Sequence, residues 1–223
     1  MSYQPLLPNF DEAAELRKEL GKDSLLGNAL TRDIKQTDAY MAEVGIEVPG
    51  HGEGGGYEHN RHKQNYIHMD LAGRLFRITE ETKYRDYIVD MLTAYATVYP
   101  TLESNVSRDS NPPGKLFHQT LNENMWMLYA SCAYSCIYHT ISEEQKRLIE
   151  DDLLKQMIEM FVVTYAHDFD IVHNHGLWAV AAVGICGYAI NDQESVDKAL
   201  YGLKLDKVSG GFLAQLDQLF SPD

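Results

Sequence analysis

Apolar residues recur at three- and four-residue spacing along most of this 223-residue chain, whereas strand-like alternation is nowhere sustained. This period predicts amphipathic helices separated by loops. The predicted helices cover residues 11–20, 24–44, 66–78, 82–99, 117–139, 143–165, 176–190, 194–203 and 211–220. We therefore expect an all-α fold.

Three short segments, residues 78–81, 141–144 and 190–193, each separate two predicted helices. In each of them an isoleucine precedes a residue that commonly caps a helix, namely Thr79, Ser142 or Asn191. Ser142 with Gln145 also fits a capping box. The pattern predicts a series of antiparallel helical hairpins.

The two longest predicted loops, residues 49–65 and 100–114, lie at the opposite ends of these hairpins. Stacked hairpins fit both an α-solenoid and an α/α toroid, and both place such loops together at one end. Long loops that can form a cleft favour the toroid.

The formal net charge of −14 argues against nucleic acid and against an anionic membrane as partners. It leaves room for an acidic sugar, since salt screens distant charges from a local basic pocket. No apolar run approaches the length of a membrane span. Residues 1–5 lack the features of a signal peptide. We expect a cytoplasmic protein, or a periplasmic or secreted one whose leader was removed.

The segment His173-Asn174-His175-Gly176 stands just before an apolar helical run, at residues 177–183. An amide and an imidazole side by side, here Asn174 and His175, can donate two hydrogen bonds to one carboxylate. Such donors stabilise an enolate-like charge in a dry site. The alternative is structural: Asn174 caps the helix and the histidines find partners in the core.

Lys115, Gln119 and Asn122 are spaced to share one face of the helix predicted from residue 117. One cation and two amides suit a carboxylated, hydroxylated ligand such as a uronic acid. The alternative is an exposed lysine beside a polar helix start. Tyr66 and His68 begin another predicted helix and are further candidates for binding such a ligand.

Two groups of residues have the side chains of a metal site. One is the glycine-rich loop with His51, His59 and His62; the other combines His173 and His175 with His167, Asp168 or Asp170. Irregular spacing and flexible glycines argue against the first. We expect neither a metal nor another cofactor in this chain.

Asp70 and Arg74, at i and i+4, are expected to form a surface ion pair that contributes little to stability.

Taken together, four segments resemble the alginate and oligoalginate lyases of polysaccharide lyase family 17. They are residues 66–75 (YIHMDLAGRL), 114–122 (GKLFHQTLN), 173–184 (HNHGLWAVAAVG) and 210–223 (GGFLAQLDQLFSPD), in the family's order. The resemblance covers residues 60 to 223. It implies an incomplete α/α toroid, of which the antiparallel hairpins of residues 1–223 would form part, followed by a β-sandwich domain. It also implies an often exolytic action on β-1,4-linked mannuronate.

The resemblance also implies a mechanism. Asn174 and His175 would hold the substrate carboxylate at C5, a base would remove the C5 proton, and an acid would protonate O4, giving a 4,5-unsaturated sugar. The family assigns proton transfer largely to tyrosines, one of them in a segment that follows Ser-Pro-Asp. Because the chain stops at Asp223, we expect the N-terminal part of a lyase, without the β-sandwich and inactive alone.

Two other functions stay open. In the first, the chain is a non-catalytic domain that binds uronates or serves as a scaffold. In the second, it belongs to a glycoside hydrolase, which needs two carboxylates in one cleft. Asp70, Asp168 and Asp170 are candidates for the hydrolase, although nothing in the sequence groups them. An incomplete toroid would expose an apolar flank, through which we expect the chain to self-associate.

Overall fold

The computed structural model describes residues 3–52, 54–106 and 112–219. Within these ranges the regular structure is helical, apart from one isolated parallel bridge between Gly52 and Phe117. The α-helices are α1 (Phe10–Arg17), α2 (Leu25–Val44), α3 (Tyr57–Thr79), α4 (Thr82–Val98), α5 (Thr120–Ile137), α6 (Glu143–Ile149), α7 (Lys155–Glu159), α8 (Ala166–Phe169), α9 (Asn174–Ala189), α10 (Gln193–Tyr201) and α11 (Gly211–Leu219). The predicted all-α fold is confirmed.

Three helices, α3, α5 and α9, pack side by side and form one layer of the fold. The helices that follow them in the chain form a second layer, in which α4 packs on α3 and on α6, and α10 packs on α9. The two N-terminal helices both pack against α3. Antiparallel hairpins that contribute one helix to each layer are the arrangement of an α/α toroid.

The core is built from large aromatic side chains and from small residues where helices approach closely. Trp126 and Tyr134 of α5 are fully buried, as is Tyr84 of α4. Gly187 of α9 faces α10 so closely that a Cβ would lie 2.8 Å from the Cβ of Ser195. All three cysteines are buried and free, so they act as small core residues.

The α6–α7 region is one continuous helix that contains two π-helical segments, Glu150–Leu154 and Met160–Thr164. The second segment ends at Tyr165, whose amide donates to the carbonyl of Met160 at 2.9 Å. A π turn contains an extra residue, so it changes the direction in which the following side chains point. The sequence predicts this helix as regular.

The N-terminal part of α3 lies where the sequence predicts a loop. Its inward-facing residues over the first turns are His59, His62 and Asn65, all buried. Asn65 donates to the carbonyl of Glu47 at 2.8 Å and to the hydroxyl of Tyr95 at 2.9 Å. The inward-facing positions recur at helical spacing, but they are filled by polar residues. A search for apolar periodicity therefore does not predict this part of the helix.

Of the three predicted N-caps, the structure confirms Ser142, which forms a capping box with Gln145. The predictions at Thr79 and Asn191 are wrong, because Glu81 and Asp192 occupy the capping positions of α4 and α10. In α10 the carboxylate of Asp192 accepts from two amides of the first turn.

Among the described helices, none is long and apolar enough to cross a bilayer.

Candidate functional site

The N-terminus of α9 is capped by a histidine. His173 has extended backbone angles, φ −162° and ψ 177°, and its Nδ1 accepts from the amides of His175 at 2.9 Å and Gly176 at 3.3 Å. The structural alternative for Asn174, that it caps this helix, is therefore wrong. Because Nδ1 is an acceptor, neutral His173 carries its proton on Nε2, where it can donate to a ligand.

The two predicted carboxylate-holding residues follow this cap directly. Asn174 is the first residue of α9 and is exposed, whereas His175 is half-buried, with its ring 5.4 Å from that of His173. A Cβ at Gly176 would collide with the carbonyl oxygen of Ile171, so only glycine allows this tight entry into the helix. The positive end of the α9 dipole favours an anion here.

A cavity of about 210 Å³ lies beside this helix start. Its lining residues, from α5, the second π segment, α8, α9 and the loop before α5, are Pro112, Thr120, Asn124, Phe161, Tyr165, Asp168, Phe169, His173, His175 and Ala179. His175 belongs to this lining and Asn174 does not. The cavity thus combines an imidazole pair with hydroxyl, amide and carboxylate groups, and the rest of its lining is apolar.

The loop before α5 forms one side of the cavity and is fixed at two points. The amide of Thr120 donates to the carbonyl of Pro112 at 2.9 Å. The hydroxyl of Tyr165 donates to the carbonyl of Pro113 at 2.8 Å. Tyr165 is not among the residues that the sequence indicated, because its place in the cavity depends on the preceding π segment.

Glu123 anchors the adjoining segment of this loop. Its fully buried carboxylate accepts hydrogen bonds from three consecutive amides, those of Lys115, Leu116 and Phe117, at 3.0–3.2 Å. A Cβ at Gly114 would lie 2.5 Å from the carboxylate, so the loop can approach only with glycine there. Burial raises the pKa of Glu123 to about 7, although the three amides oppose this shift.

The shared helical face predicted for Lys115, Gln119 and Asn122 is not formed. Helix α5 begins at Thr120, so Lys115 lies in the loop, Gln119 occupies the N-cap position, and Asn122 lies in the first turn. The Nζ atom of Lys115 contacts the carbonyl oxygen of Tyr99 at 3.5 Å and lies 4.8 Å from the centre of its ring. None of the three predicted residues lines the cavity. Their proposed contacts with substrate stay predictions.

Tyr66 and His68 are both buried in α3 and do not line the cavity. Tyr66 stacks on Tyr129 with ring centres 5.0 Å apart. His68 stacks on Tyr40 at 3.7 Å, and its Nδ1 contacts the carbonyl oxygen of Gln64 at 2.9 Å. Burial lowers the pKa of His68 and favours the neutral ring. These contacts give both residues a packing role in the described part of the chain.

The histidines of the glycine-rich loop and of early α3 connect segments of the chain. The buried ring of His62 contacts the hydroxyl of Tyr95 at 2.8 Å and the carbonyl of Gly50 at 2.9 Å. The Nδ1 of His51 contacts the carbonyl oxygen of Lys115 at 2.8 Å. Within residues 3–52, 54–106 and 112–219, no group of three or more His, Cys, Asp or Glu side chains could hold a metal ion.

The three candidate aspartates occupy three different places. Asp70 is buried and forms an ion pair with Arg74 at 2.7 Å, so only the arginine of the predicted surface pair is exposed. Burial raises the pKa of Asp70, and Arg74 opposes this shift. Asp170 accepts from the amide of Leu203 at 3.1 Å. Asp168 is the single carboxylate among the described residues that line the cavity.

Sequence comparison gives one family-model match and two similar curated proteins. The model described as "Alginate lyase" matches residues 35–211. An exo-oligoalginate lyase of Saccharophagus degradans is 42% identical over 196 residues, which cover 87% of this chain and 26% of that protein. An alginate lyase of Stenotrophomonas maltophilia is 42% identical over 184 residues, covering 82% and 24% respectively. The chain therefore spans about a quarter of the length of these relatives.

Residues 220–223, which include the Ser-Pro-Asp of the fourth motif, lie outside the described residues.

Proposed function

Because this chain belongs to the alginate lyase family, we propose that it supplies the carboxylate-binding part of a lyase that cleaves 1,4-linked uronates by β-elimination. The finer assignment that we propose is polysaccharide lyase family 17, acting on poly- or oligo-mannuronate. In that assignment residues 1–223 contribute helices to an incomplete toroid, and alginate is the partner.

The observation that carries the proposal is the start of α9 beside the cavity. His175 lines the cavity, His173 presents its Nε2 side as a donor, and the exposed Asn174 lies between them in the chain. These groups stand at the positive end of a helix, where an anion is favoured. A uronate carboxylate bound there would have its charge neutralised by donors that are already in place.

Neutralising that carboxylate is the first requirement of the reaction. The C5 proton becomes acidic only when the charge that develops on the carboxyl group is stabilised. A base then takes the proton, the C4–O4 bond breaks, and an acid protonates the leaving oxygen. Of the described tyrosines, Tyr165 lines the cavity, and its hydroxyl already donates to the carbonyl of Pro113. Its assigned role is to hold that loop against the cavity.

The hydrolase alternative receives less support from the same cavity. A glycoside hydrolase of the usual kind needs two carboxylates flanking the scissile bond. Among the described lining residues Asp168 is the only acid, while Asp70 and Asp170 have other partners. A non-catalytic uronate-binding domain uses the same donors, and activity measurements separate it from a lyase.

The test is an assay of the product of the complete open reading frame that encodes this chain, with poly-mannuronate as substrate. A lyase produces a steady rise in the ultraviolet absorbance of the unsaturated uronate. We expect His175→Ala to reduce the rate by about 10²-fold or more, the cost typical of losing one charge-stabilising donor. His167→Ala is the matched control, since His167 is exposed and outside the cavity lining. New reducing ends without ultraviolet absorbance would indicate a hydrolase and overturn the proposal.

A further inference from the structure

Asn124 is a buried amide in the cavity wall with an unused hydrogen-bonding atom. It lies in the first turns of α5 and its side chain is 2% exposed. Its Oδ1 atom has no hydrogen-bond partner among the described residues. Buried polar atoms are nearly always paired, because an unpaired one is costly, so an exception calls for an explanation.

The cavity that Asn124 lines has apolar as well as polar walls. Its apolar lining residues include Phe161, Phe169 and Ala179, all of them buried. An apolar residue of similar size would fill the same space without leaving a polar atom unpaired. The terminal torsion of an asparagine side chain is broad, so the amide can turn its oxygen towards a molecule in the cavity.

The chemistry of the unpaired atom restricts what that molecule is. An amide oxygen only accepts hydrogen bonds, so it pairs with a donor and not with an ionised carboxylate. The imidazoles of His173 and His175 in the same cavity offer donors, which suit a carboxylate. A uronate ring carries both kinds of group, with a carboxylate at one carbon and hydroxyls at its neighbours.

Resting on the proposed function, we infer that Asn124 is a specificity-determining residue whose amide oxygen accepts a hydrogen bond from a ring hydroxyl of the bound uronate. Asn124 thus binds the ring hydroxyl, while the residues at the start of α9 bind the carboxylate. A cavity that leaves a polar group unpaired until substrate arrives discriminates against analogues that lack the donor. The chain is therefore expected to bind uronates with free hydroxyls and to reject the same uronates when those hydroxyls are O-acetylated.

The first test compares the 223-residue chain with its Asn124→Leu variant, using calorimetric titration with mannuronate oligomers. We expect Kd to rise about tenfold, which corresponds to the loss of one hydrogen bond in a buried site. The melting temperature should stay level or rise, because the variant removes an unpaired polar atom. Unchanged affinity would overturn the inference. So would a marked fall in melting temperature, since it would mean that the amide has a structural partner.

Ser131→Ala is the matched control for this comparison. Ser131 is a fully buried polar residue further along the same helix, and it does not line the cavity. Its replacement should leave the affinity for mannuronate oligomers within about twofold, because it removes a buried hydroxyl away from the ligand. An equal loss of affinity in both variants would assign the effect to general loosening of α5 and contradict a specific contact at Asn124.

A second test needs no variant. The unsubstituted chain is titrated with free and with O-acetylated mannuronate oligomers of equal length. At least tenfold weaker binding of the acetylated oligomer supports the inference, and equal binding overturns it. Failure of the unsubstituted chain to bind either oligomer would instead contradict the proposed function itself, which separates the two failures.

Discussion

Replacing Glu123 with glutamine is expected to remove a pH-dependent part of the chain's stability. The carboxylate is fully buried and accepts from the amides of Lys115, Leu116 and Phe117. Burial raises its pKa from 4.5 to about 7, against the opposing effect of those amides. A shift of this size corresponds to roughly 3 kcal/mol of preference for the protonated form in the folded state.

The sign follows from the order of the two pKa values. Below 4.5 Glu123 is protonated in both the folded and the unfolded chain, and its stabilising contribution is fully present. Between 4.5 and about 7 unfolding releases the proton, so the free energy of unfolding falls as pH rises. Above about 7 the whole contribution, roughly 3 kcal/mol, has been lost.

His62 makes an opposite contribution over an overlapping range. Burial lowers its pKa from 6.5 to about 4, against the opposing effect of its bond to the Gly50 carbonyl. The folded chain thus binds this proton less tightly than the unfolded chain does. Its contribution is present above 6.5 and is lost as pH falls towards 4. The two effects partly cancel in the unsubstituted chain, so only a comparison with a variant isolates Glu123.

The assay is urea denaturation of the unsubstituted chain and of Glu123→Gln across the range from about pH 4 to about pH 8. Because glutamine does not titrate, the difference in unfolding free energy between the two chains should change by roughly 3 kcal/mol over that range, to the disadvantage of the unsubstituted chain at high pH. Parallel pH profiles would refute the reasoning, since they would mean that Glu123 has the same pKa in both states.

Three further predictions concern the cavity and its loop. His175→Ala and Asn174→Ala should reduce lyase turnover of the intact enzyme about 10²-fold, His175 more than the exposed Asn174, with unchanged melting temperatures; activity within about threefold, or a collapse of the fold, would contradict this. Lys115→Ala should raise KM on alginate oligomers more than it lowers kcat, as expected for lost uniform binding, and an unchanged KM would remove Lys115 from the site. Tyr165→Phe should lower stability in urea by about 1 kcal/mol, because the bond to the carbonyl of Pro113 is lost; an unchanged midpoint would mean that this bond does not hold the loop.

The helical hairpins could be predicted from the sequence because apolar periodicity follows the core wherever the core is apolar. The prediction fails at the start of α3, where His59, His62 and Asn65 face inward. These positions are filled by polar side chains, two of which, His62 and Asn65, form hydrogen bonds with distant segments of the chain. Such partners are decided by the tertiary structure, and no local pattern in the sequence shows them.

The candidate site was only partly predictable for a related reason. The sequence pointed to the start of α9, and the structure places His175 there beside a cavity. His173 occupies the N-cap position of α9, because its extended backbone places its ring next to the free amides of the first helical turn. Asn124 and Tyr165 reach the cavity from α5 and from the end of a π segment, so their place depends on helix packing and an irregular turn.

Calorimetric titration of residues 1–223 with mannuronate oligomers, in parallel with oligomers whose carboxyl groups have been reduced to alcohols, tests the central claim most directly. That claim is that the start of α9 holds the uronate carboxylate. We predict millimolar affinity for the charged oligomer, at least tenfold weaker binding of the reduced one, and no such discrimination in His175→Ala. Equal binding of both oligomers, or full discrimination by His175→Ala, would contradict the account.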